Sequence, residues 1–297
     1  MQTKQNSEYI KATLPIDVDD GIRLDLNLAR QFGEELAGQY CFSEPFPHIV
    51  IDNFLPKELI DILLREFPVE RRSEDYFWED NYGGYLKRQI FPENCGSEIR
   101  GIFNFFNSSP VLQFLEGLTS IEGLIGDPYF NGGGFHETYS GGKLGIHADF
   151  RIHDKLHLNR RLNLILYLNE DWLPQYGGDL ELWDQGMKVK MKNVSPVLNR
   201  CVIFNTDGDS FHGHPEPLGA PKGITRKSIA LYYYTASRKI YEDTPRHSTM
   251  FAARPQDSAH AKKGVAKLNF ENFKRDWLPP MLIRLIAKIK SKLKGVV

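Results

Sequence analysis

The chain has 297 residues, 41% of them hydrophobic and 25% charged, which is enough for one large domain or for one domain with appendages. The formal net charge is −1 at pH 7, so the chain lacks the basic excess that a nucleic-acid partner requires. The three cysteines have no paired spacing, the N-terminus is polar, and no run of about 18 apolar residues is present, so we expect a cytoplasmic protein without a secretory signal or a transmembrane helix.

The first predicted region, residues 1–110, is a supporting region with helices and a strand. Residues 46–51 predict a short strand, and the apolar residues of 57–66 recur at helical spacing, which predicts a helix. Residues 70–94 are dense in aromatic and charged side chains around the pair Gly83-Gly84, which predicts a mobile turn. This segment is interpreted either as a lid over a site or as an ordinary surface loop.

Strands dominate the second predicted region, residues 111–240, and clusters of Gly, Asn, Asp and Pro separate them. The clearest are at residues 161–169, 179–183, 200–204 and 228–235. This pattern is typical of an antiparallel double sheet, so we expect a mostly β fold with a jelly-roll, or double-stranded β-helix, core. Inward-facing side chains at every second residue can then line a pocket between the sheets.

His147 and Asp149 are the most informative pair in this region, because one residue separates them. Side chains two residues apart on a strand point the same way, so both can reach one ion, and the motif predicts a strand. With the distant His212 they can form a facial set of two imidazoles and one carboxylate, which favours Fe(II) over a closed zinc site. Strand alternation would put His214 on the same face as His212, so geometry alone does not choose between them.

Several motifs follow one another in a specific order: H-x-D, then R-L-N-x-I-x-Y-L-N from Arg161, G-G-x-L from Gly177, H-G-x-P from His212, and finally Arg226. In this order they resemble the 2-oxoglutarate/Fe(II)-dependent dioxygenases, specifically the bacterial branch similar to the prolyl 4-hydroxylase catalytic domain. The resemblance runs from about residue 46 to residue 235. It implies that an unactivated C–H bond is hydroxylated with release of succinate and CO2.

The resemblance also implies the metal ligands and the cofactors. Fe(II) would be held by His147, Asp149 and His212, with 2-oxoglutarate and O2 as co-substrates and ascorbate as a stimulant. His214 would lie behind the ligands, near the co-substrate. His153 and His157 lie in a charged stretch and are expected to be exposed loop residues, and the place of His136 stays undecided.

The far carboxylate of 2-oxoglutarate requires a cation, and Arg226 resembles the family's arginine at this place. A planar guanidinium can bind a carboxylate through two parallel hydrogen bonds. Lys227 should face away, because neighbouring residues of a strand alternate. Tyr139 and Tyr167 match family positions whose hydroxyls help hold the same carboxylate, and Asn163 shares a strand face with Tyr167.

The third predicted region, residues 241–297, ends in a basic amphipathic helix. Residues 281–294 place leucines and isoleucines on one stripe and lysines and an arginine around it, with no acidic residue. Such a helix either lies in a membrane interface against anionic headgroups, or docks on its own domain or on a second copy.

The site motifs do not name the substrate. A membrane-surface location favours a lipid-linked sugar, and within the wider family some bacterial members hydroxylate the Kdo sugar of lipopolysaccharide precursors. A peptidyl proline or another protein side chain is the alternative hydroxylase substrate. A non-catalytic, metal-containing sugar-binding jelly roll is the alternative of another class, but such a module has no reason to keep both the ligand triad and Arg226.

Overall fold

The computed structural model describes residues 9–80, 82–236 and 248–277, with side chains as far as residue 274. Four helices precede the main strands: α1 (Leu26–Cys41), α2 (Lys57–Arg65), α3 (Ser97–Phe106) and α4 (Ser109–Thr119). A fifth, α5 (Ala259–Trp277), closes the described part of the chain. No helix among the described residues is both long enough and apolar enough to cross a membrane.

Apart from two short 3-10 helices, Pro92–Asn94 and Pro174–Tyr176, the remaining regular elements are strands, which makes the fold mostly β. They are β1 (Ile10–Lys11), β2 (His48–Asp52), β3 (Tyr76–Glu79), β4 (Gly84–Ile90), β5 (Leu124–Gly126), β6 (Gly134–Ala148), β7 (Asn159–Tyr167), β8 (Leu180–Trp183), β9 (Lys190–Val194), β10 (Arg200–Asn205), β11 (His212–His214), β12 (Arg226–Thr235) and β13 (Met250–Phe251). All belong to one sheet with the central order β1-β2-β10-β7-β12-β6-β11-β8-β9.

Strand β6 makes this sheet curl, because its 15 residues pair with different strands at its two ends. The N-terminal end pairs with β12 and with β4, and the C-terminal end pairs with β11 and with β13. Both halves of the curled sheet therefore share one long strand, and the space between them is the cavity described below. This architecture confirms the expected jelly roll.

The helices cover the larger half of the sheet and bury its outer face. Helix α1 starts at Asp25, whose carboxylate accepts hydrogen bonds from the backbone N–H groups of the first turn. It packs closely on α4 because Gly33 and Gly117 face the opposite backbone: a Cβ at Gly33 would lie 2.2 Å from the carbonyl oxygen of Phe114. This contact belongs to a continuous apolar core that includes Phe54, Phe114 and Leu231.

The predicted strands and the helix at residues 57–66 are confirmed within a few residues, as are the supporting N-terminal helices. Residues 70–94 differ from the expectation, because most of the segment forms the hairpin β3–β4, which pairs with β6 and extends the sheet. The expectation for His153 is wrong: this side chain is fully buried, and its Nε2 lies 3.2 Å from Oδ1 of Asp127. The predicted helix at residues 281–294 lies outside the described residues, and the division at residues 110 and 240 stays a prediction.

Candidate active site

A cavity of about 960 Å³ opens inside the curled sheet. Its wall combines strands of both halves of the sheet with the hairpin β3–β4 and with residues of β13 and α5. The wall residues with polar groups or rings include Trp78, Lys87, His136, His147, Asp149, Arg160, His212 and Arg226. The cavity is larger than a five-carbon diacid needs, so it has room for a second molecule.

His147, Asp149 and His212 converge on one point of this cavity. Their ligand atoms all lie within 4.8 Å of one another, and all three residues are buried. Nε2 of His147 lies 3.5 Å from Oδ1 of Asp149, and Nε2 of His212 lies 3.5 Å from Oδ2. The two histidines meet because they are cross-strand partners of β6 and β11. Ligand atoms about 2.1 Å from one ion are about 3 Å apart, so little movement would seat a metal.

Backbone hydrogen bonds orient both imidazoles. Nδ1 of His147 is 2.9 Å from the carbonyl oxygen of Gly145, and Nδ1 of His212 is 2.9 Å from that of Ser210. Each Nδ1 therefore carries the proton and donates it, which leaves Nε2 as the free lone pair on the side of the carboxylate. Burial lowers the pKa of His212 to about 4, so its ring is neutral at physiological pH, as a metal ligand must be.

Two polar side chains hold the Asp149 carboxylate in place. Nδ2 of Asn163 donates to Oδ2 at 2.7 Å, and the guanidinium of Arg160 lies 3.0 Å from the same oxygen. Burial by itself would raise the pKa of Asp149, but Arg160 and the two histidines hold it well below its usual range. The carboxylate is therefore ionised, and Oδ1 remains directed toward His147.

Arg160 is itself in contact with two aromatic rings. Its guanidinium carbon lies 3.5 Å from the ring centre of Tyr232 and 4.5 Å from that of Phe150. Its Nε and Nη2 donate to Oδ1 of Asn163. A buried cation held by two rings, an amide and a carboxylate cannot easily turn toward another partner.

Arg226 lies on the other flank of the cavity, and two hydrogen bonds hold its guanidinium in position. Its Nε donates to the carbonyl oxygen of Gly178 at 2.7 Å, and its Nη2 donates to the Tyr167 hydroxyl at 3.2 Å. The residue is 5% exposed, and no carboxylate among the described residues pairs with it. An unpaired buried cation is costly in free energy, so this place is suited to an anionic ligand.

Unpaired polar atoms around Arg226 also fit a diacid. Both ring nitrogens of His214 and Oγ1 of Thr138 are buried without a hydrogen-bond partner among the described residues. Thr138 is the cross-strand partner of Arg226, and burial holds the pKa of His214 well below its usual range. A neutral imidazole and a hydroxyl beside an unpaired guanidinium can donate hydrogen bonds to a carboxylate, so the residues present fit 2-oxoglutarate.

The structure thus brings most of the sequence-predicted site residues to one cavity, but two differ from the expectation. Asn163 contacts the Asp149 carboxylate and Arg160 rather than Arg226. Tyr139 does not line the cavity: its hydroxyl donates to Glu137 at 2.9 Å, within a group that also contains Arg88. Lys227, as predicted, faces away, with its Nζ 5.4 Å from the ring centre of Phe67.

Sequence reasoning missed several cavity residues. Lys87 is 5% exposed, its Nζ lies 3.2 Å from Nδ1 of His136, and it sits 4.0 Å above the ring of Trp78. Phe251 of β13 packs on the ring of His147, with the ring centres 5.5 Å apart. The run around Lys87, Tyr85-Leu-Lys-Arg-Gln-Ile90, has no alternation of polar and apolar residues, so the local sequence carried no signal for this buried amine.

Residues 133–234 match the family model of the 2OG-Fe(II) oxygenase superfamily. This stretch contains the triad and Arg226, and it is a 2-oxoglutarate- and Fe(II)-dependent oxygenase domain. No match to the chain is found among curated proteins.

Three solved structures show the range of similarity. A prolyl-4-hydroxylase from Pseudomonas putida has 21% identity and a TM-score of 0.49, covering 69% of this chain and 99% of its own. A Trichoplax adhaerens prolyl hydroxylase in complex with a hypoxia inducible factor peptide has 17% identity and a TM-score of 0.46, covering 70% and 91%. HygX from Streptomyces hygroscopicus, with nickel, 2-oxoglutarate and hygromycin B bound, has 10% identity and a TM-score of 0.43, covering 64% and 83%. These similarities are too distant to indicate a substrate.

Proposed function

We propose that this chain, whose residues 133–234 form a 2OG-Fe(II) oxygenase domain, hydroxylates a lipid-linked sugar such as the Kdo unit of lipopolysaccharide. The observation that supports the reaction is the convergence of the buried triad with Arg226 in one cavity. Arg226 is a buried cation that has no carboxylate partner in the described part of the chain. When bound, Fe(II) and 2-oxoglutarate supply the activation of O2, and the diacid leaves as succinate and CO2.

The roles of the chain's own residues follow from their contacts. His147, Asp149 and His212 bind the metal through Nε2, a carboxylate oxygen and Nε2. Arg226 binds the far carboxylate of 2-oxoglutarate, Tyr167 holds the guanidinium in position, and the ring of His214 contacts the co-substrate. Asn163 and Arg160 keep the Asp149 carboxylate directed at the metal, and the buried wall excludes water from that side.

The aromatic side chains in the cavity wall favour a substrate that contains a ring. Tyr76 and Trp78 form an edge-to-face pair with ring centres 4.7 Å apart, and both line the cavity. Tyr76 is 53% exposed, so the pair can receive a ligand from solvent. Aromatic side chains of this kind stack on the apolar face of a sugar and equally on a proline ring. A peptidyl proline therefore remains the second candidate substrate.

The location of the enzyme is part of the same proposal. Residues 281–294, which lie outside the described residues, are basic and amphipathic by sequence, and we place them on the anionic inner face of the bacterial membrane. Helix α5 precedes them and contributes Leu268 and Asn272 to the cavity wall, so a membrane-bound tail would hold the cavity near lipid-linked substrates. Deletion from Met281 onward should move the protein from the sedimented membrane fraction to the supernatant. An unchanged distribution would contradict the membrane role.

The reaction is tested by succinate release. Purified protein with Fe(II), 2-oxoglutarate and O2 should form succinate even without the prime substrate, because these enzymes turn over slowly when uncoupled. His147→Ala should abolish this release, and Lys222→Met, an exposed change remote from the triad, should leave it unchanged. A non-catalytic sugar-binding module would give no succinate in any variant.

The substrate is tested by mass spectrometry of cells with and without the gene. Inner-core glycolipids should gain one oxygen on the Kdo sugar when the gene is present, and the gain should be lost with His147→Ala. An unchanged glycolipid profile together with a new hydroxyproline in the proteome would identify a peptidyl proline, and not the sugar, as the substrate. The first result supports the proposal and the second contradicts it.

A further inference from the structure

The cavity contains more basic side chains than are needed to bind 2-oxoglutarate beside Fe(II) and Asp149. The buried carboxylate of Asp149 and the two charges of 2-oxoglutarate balance Fe(II) together with Arg226. The guanidinium of Arg160 and the amine of Lys87 then remain as additional buried basic groups on the same cavity. The two other carboxylates of the cavity wall, Asp80 and Asp154, are solvent-exposed, so neither compensates a charge inside.

Arg160 already has a partner in Asp149, whereas Lys87 has none of that kind. Its described contacts are Nδ1 of His136 and the face of Trp78, and no carboxylate among the described residues forms an ion pair with it. His136 is fixed as an acceptor toward Lys87, because its Nε2 is engaged with the carbonyl oxygen of Gly132 at 2.9 Å. An ammonium group has three N–H donors, and these contacts use only part of that capacity.

Lys87 and Arg226 belong to different sides of the cavity. Both are cross-strand neighbours of Thr138, on β4 and on β12, so two strand spacings, about 10 Å, separate their backbones. Arg226 is anchored by Gly178 and Tyr167, on the flank of β7 and β8. Lys87 leans the other way, toward Trp78 of β3. The two cations therefore face different anions.

The electrostatics of Lys87 agree with an anion that is missing from the cavity. Burial, together with the nearby charge of Arg226, lowers the pKa of Lys87 to about 7, against the opposing effect of Asp149. A ligand anion beside Nζ would favour the charged form of this amine. The group is thus poised to become a cation when an acidic ligand enters.

We propose that Lys87 binds an anionic group, a carboxylate or a phosphate, of the prime substrate, while Trp78 and Tyr76 contact the ring that carries it. The substrate class is then an acidic sugar rather than a neutral one, which rests on the proposed function and narrows it. The ammonium fixes one end of the sugar, the aromatic pair fixes its face, and the C–H bond to be hydroxylated is turned toward the triad.

The test measures binding of three small probes to the Fe(II)- and 2-oxoglutarate-loaded protein under argon, where no turnover occurs. The probes are D-glucuronate, glucose 1-phosphate and D-glucose, and the method is isothermal titration calorimetry. We expect the wild type to bind at least one anionic probe about tenfold or more tightly than D-glucose, since a charged hydrogen bond is lost with the neutral probe. Preference for D-glucuronate identifies a carboxylate site, and preference for glucose 1-phosphate identifies a phosphate site.

Variants of Lys87 test whether its amine binds the anionic probe or 2-oxoglutarate. Lys87→Met should remove the preference for the anionic probe and change the affinity for 2-oxoglutarate less than threefold. Lys87→Arg should restore most of the preference, and Lys222→Met should behave as the wild type. Lys87→Gln serves in place of the methionine variant if that protein does not fold.

Two results would overturn the inference. Equal binding of all three probes by the wild type would show that no anion site exists beside Trp78. A loss of 2-oxoglutarate affinity in Lys87→Met as large as in Arg226→Met would assign Lys87 to the co-substrate instead. In both cases the wild type would still release succinate from 2-oxoglutarate, whereas a failure of the proposed function would appear as no succinate at all.

Discussion

Replacing Arg226 by methionine removes the proposed anchor of 2-oxoglutarate while keeping a side chain of similar length. A guanidinium that faces a carboxylate forms two charge-assisted hydrogen bonds, each contributing about 1.5 to 3 kcal/mol. Each 1.4 kcal/mol corresponds to about a tenfold change in affinity. We therefore expect the apparent KM for 2-oxoglutarate to rise at least about a hundredfold.

The assay is uncoupled succinate formation at increasing 2-oxoglutarate, which needs no prime substrate. Arg226→Lys should recover part of the loss, because an ammonium supplies the charge but not the planar pair of donors that Gly178 and Tyr167 hold in position. Lys227→Met is the matched control, since its side chain lies over Phe67 on the opposite face. If Arg226→Met kept a KM within threefold of the wild type, the far carboxylate of 2-oxoglutarate would have to bind elsewhere. The assignment of Arg226 as its anchor would then be wrong.

Three further variants test other contacts of the cavity. Asp149→Ala should abolish both Fe(II) binding and succinate release, and it should also lower stability by about 3 to 5 kcal/mol in urea unfolding, because Arg160 is left buried and unpaired. Asn163→Leu should keep the fold but weaken Fe(II) binding about 10- to 100-fold in a metal titration, since it removes the hydrogen bond to Oδ2 of Asp149. Lys87→Met should stabilise the metal-free protein at pH 7 by at least about 1 kcal/mol in urea unfolding, because each unit of pKa shift corresponds to about 1.4 kcal/mol. Burial lowers the pKa of this amine from 10.5 to about 7, and the methionine has no such cost. Between these two values the unfolded chain binds a proton that the folded chain does not, so wild-type stability should rise from pH 7 to pH 9, and this part of the rise should vanish in Lys87→Met.

The triad could be predicted from the sequence because its geometry is local on each strand. His147 and Asp149 are two residues apart at the end of β6, and the motif order pointed to His212 rather than His214. The structure agrees with that order, since Nε2 of His212 faces Asp149 while both ring nitrogens of His214 lack a partner among the described residues. Strand alternation was sufficient here because His147 and Asp149 are only two residues apart, so the register shift between Leu144 and His147 does not separate them.

Tyr139 shows where alternation fails. It has the same parity as His147, so a regular strand would turn both toward the cavity. On β4, however, Lys87 pairs with Thr138 and Tyr85 pairs with Lys143, which leaves four residues of β6 opposite a single residue. Gly141 in this irregular stretch has a φ of 78°, a conformation that favours glycine. A second register shift follows between Leu144 and His147, and these irregularities change which residues of β6 face the cavity along its length. Tyr139 therefore lies with Glu137, away from the cavity, and no local sequence pattern announces this change.

The two sides of the cavity are encoded in different parts of the chain. The metal ligands and Arg226 lie within residues 133–234, the stretch that matches the oxygenase family. Trp78 and Lys87 come from the hairpin before it, and Phe251 and Leu268 come from the segment after it. Both flanking segments reach the site by packing on β6 or next to it, so their residues converge only after the sheet has curled. In the proposed function, motifs in the matched stretch therefore specify the reaction, whereas the residues that would select the substrate reach the cavity through tertiary structure alone.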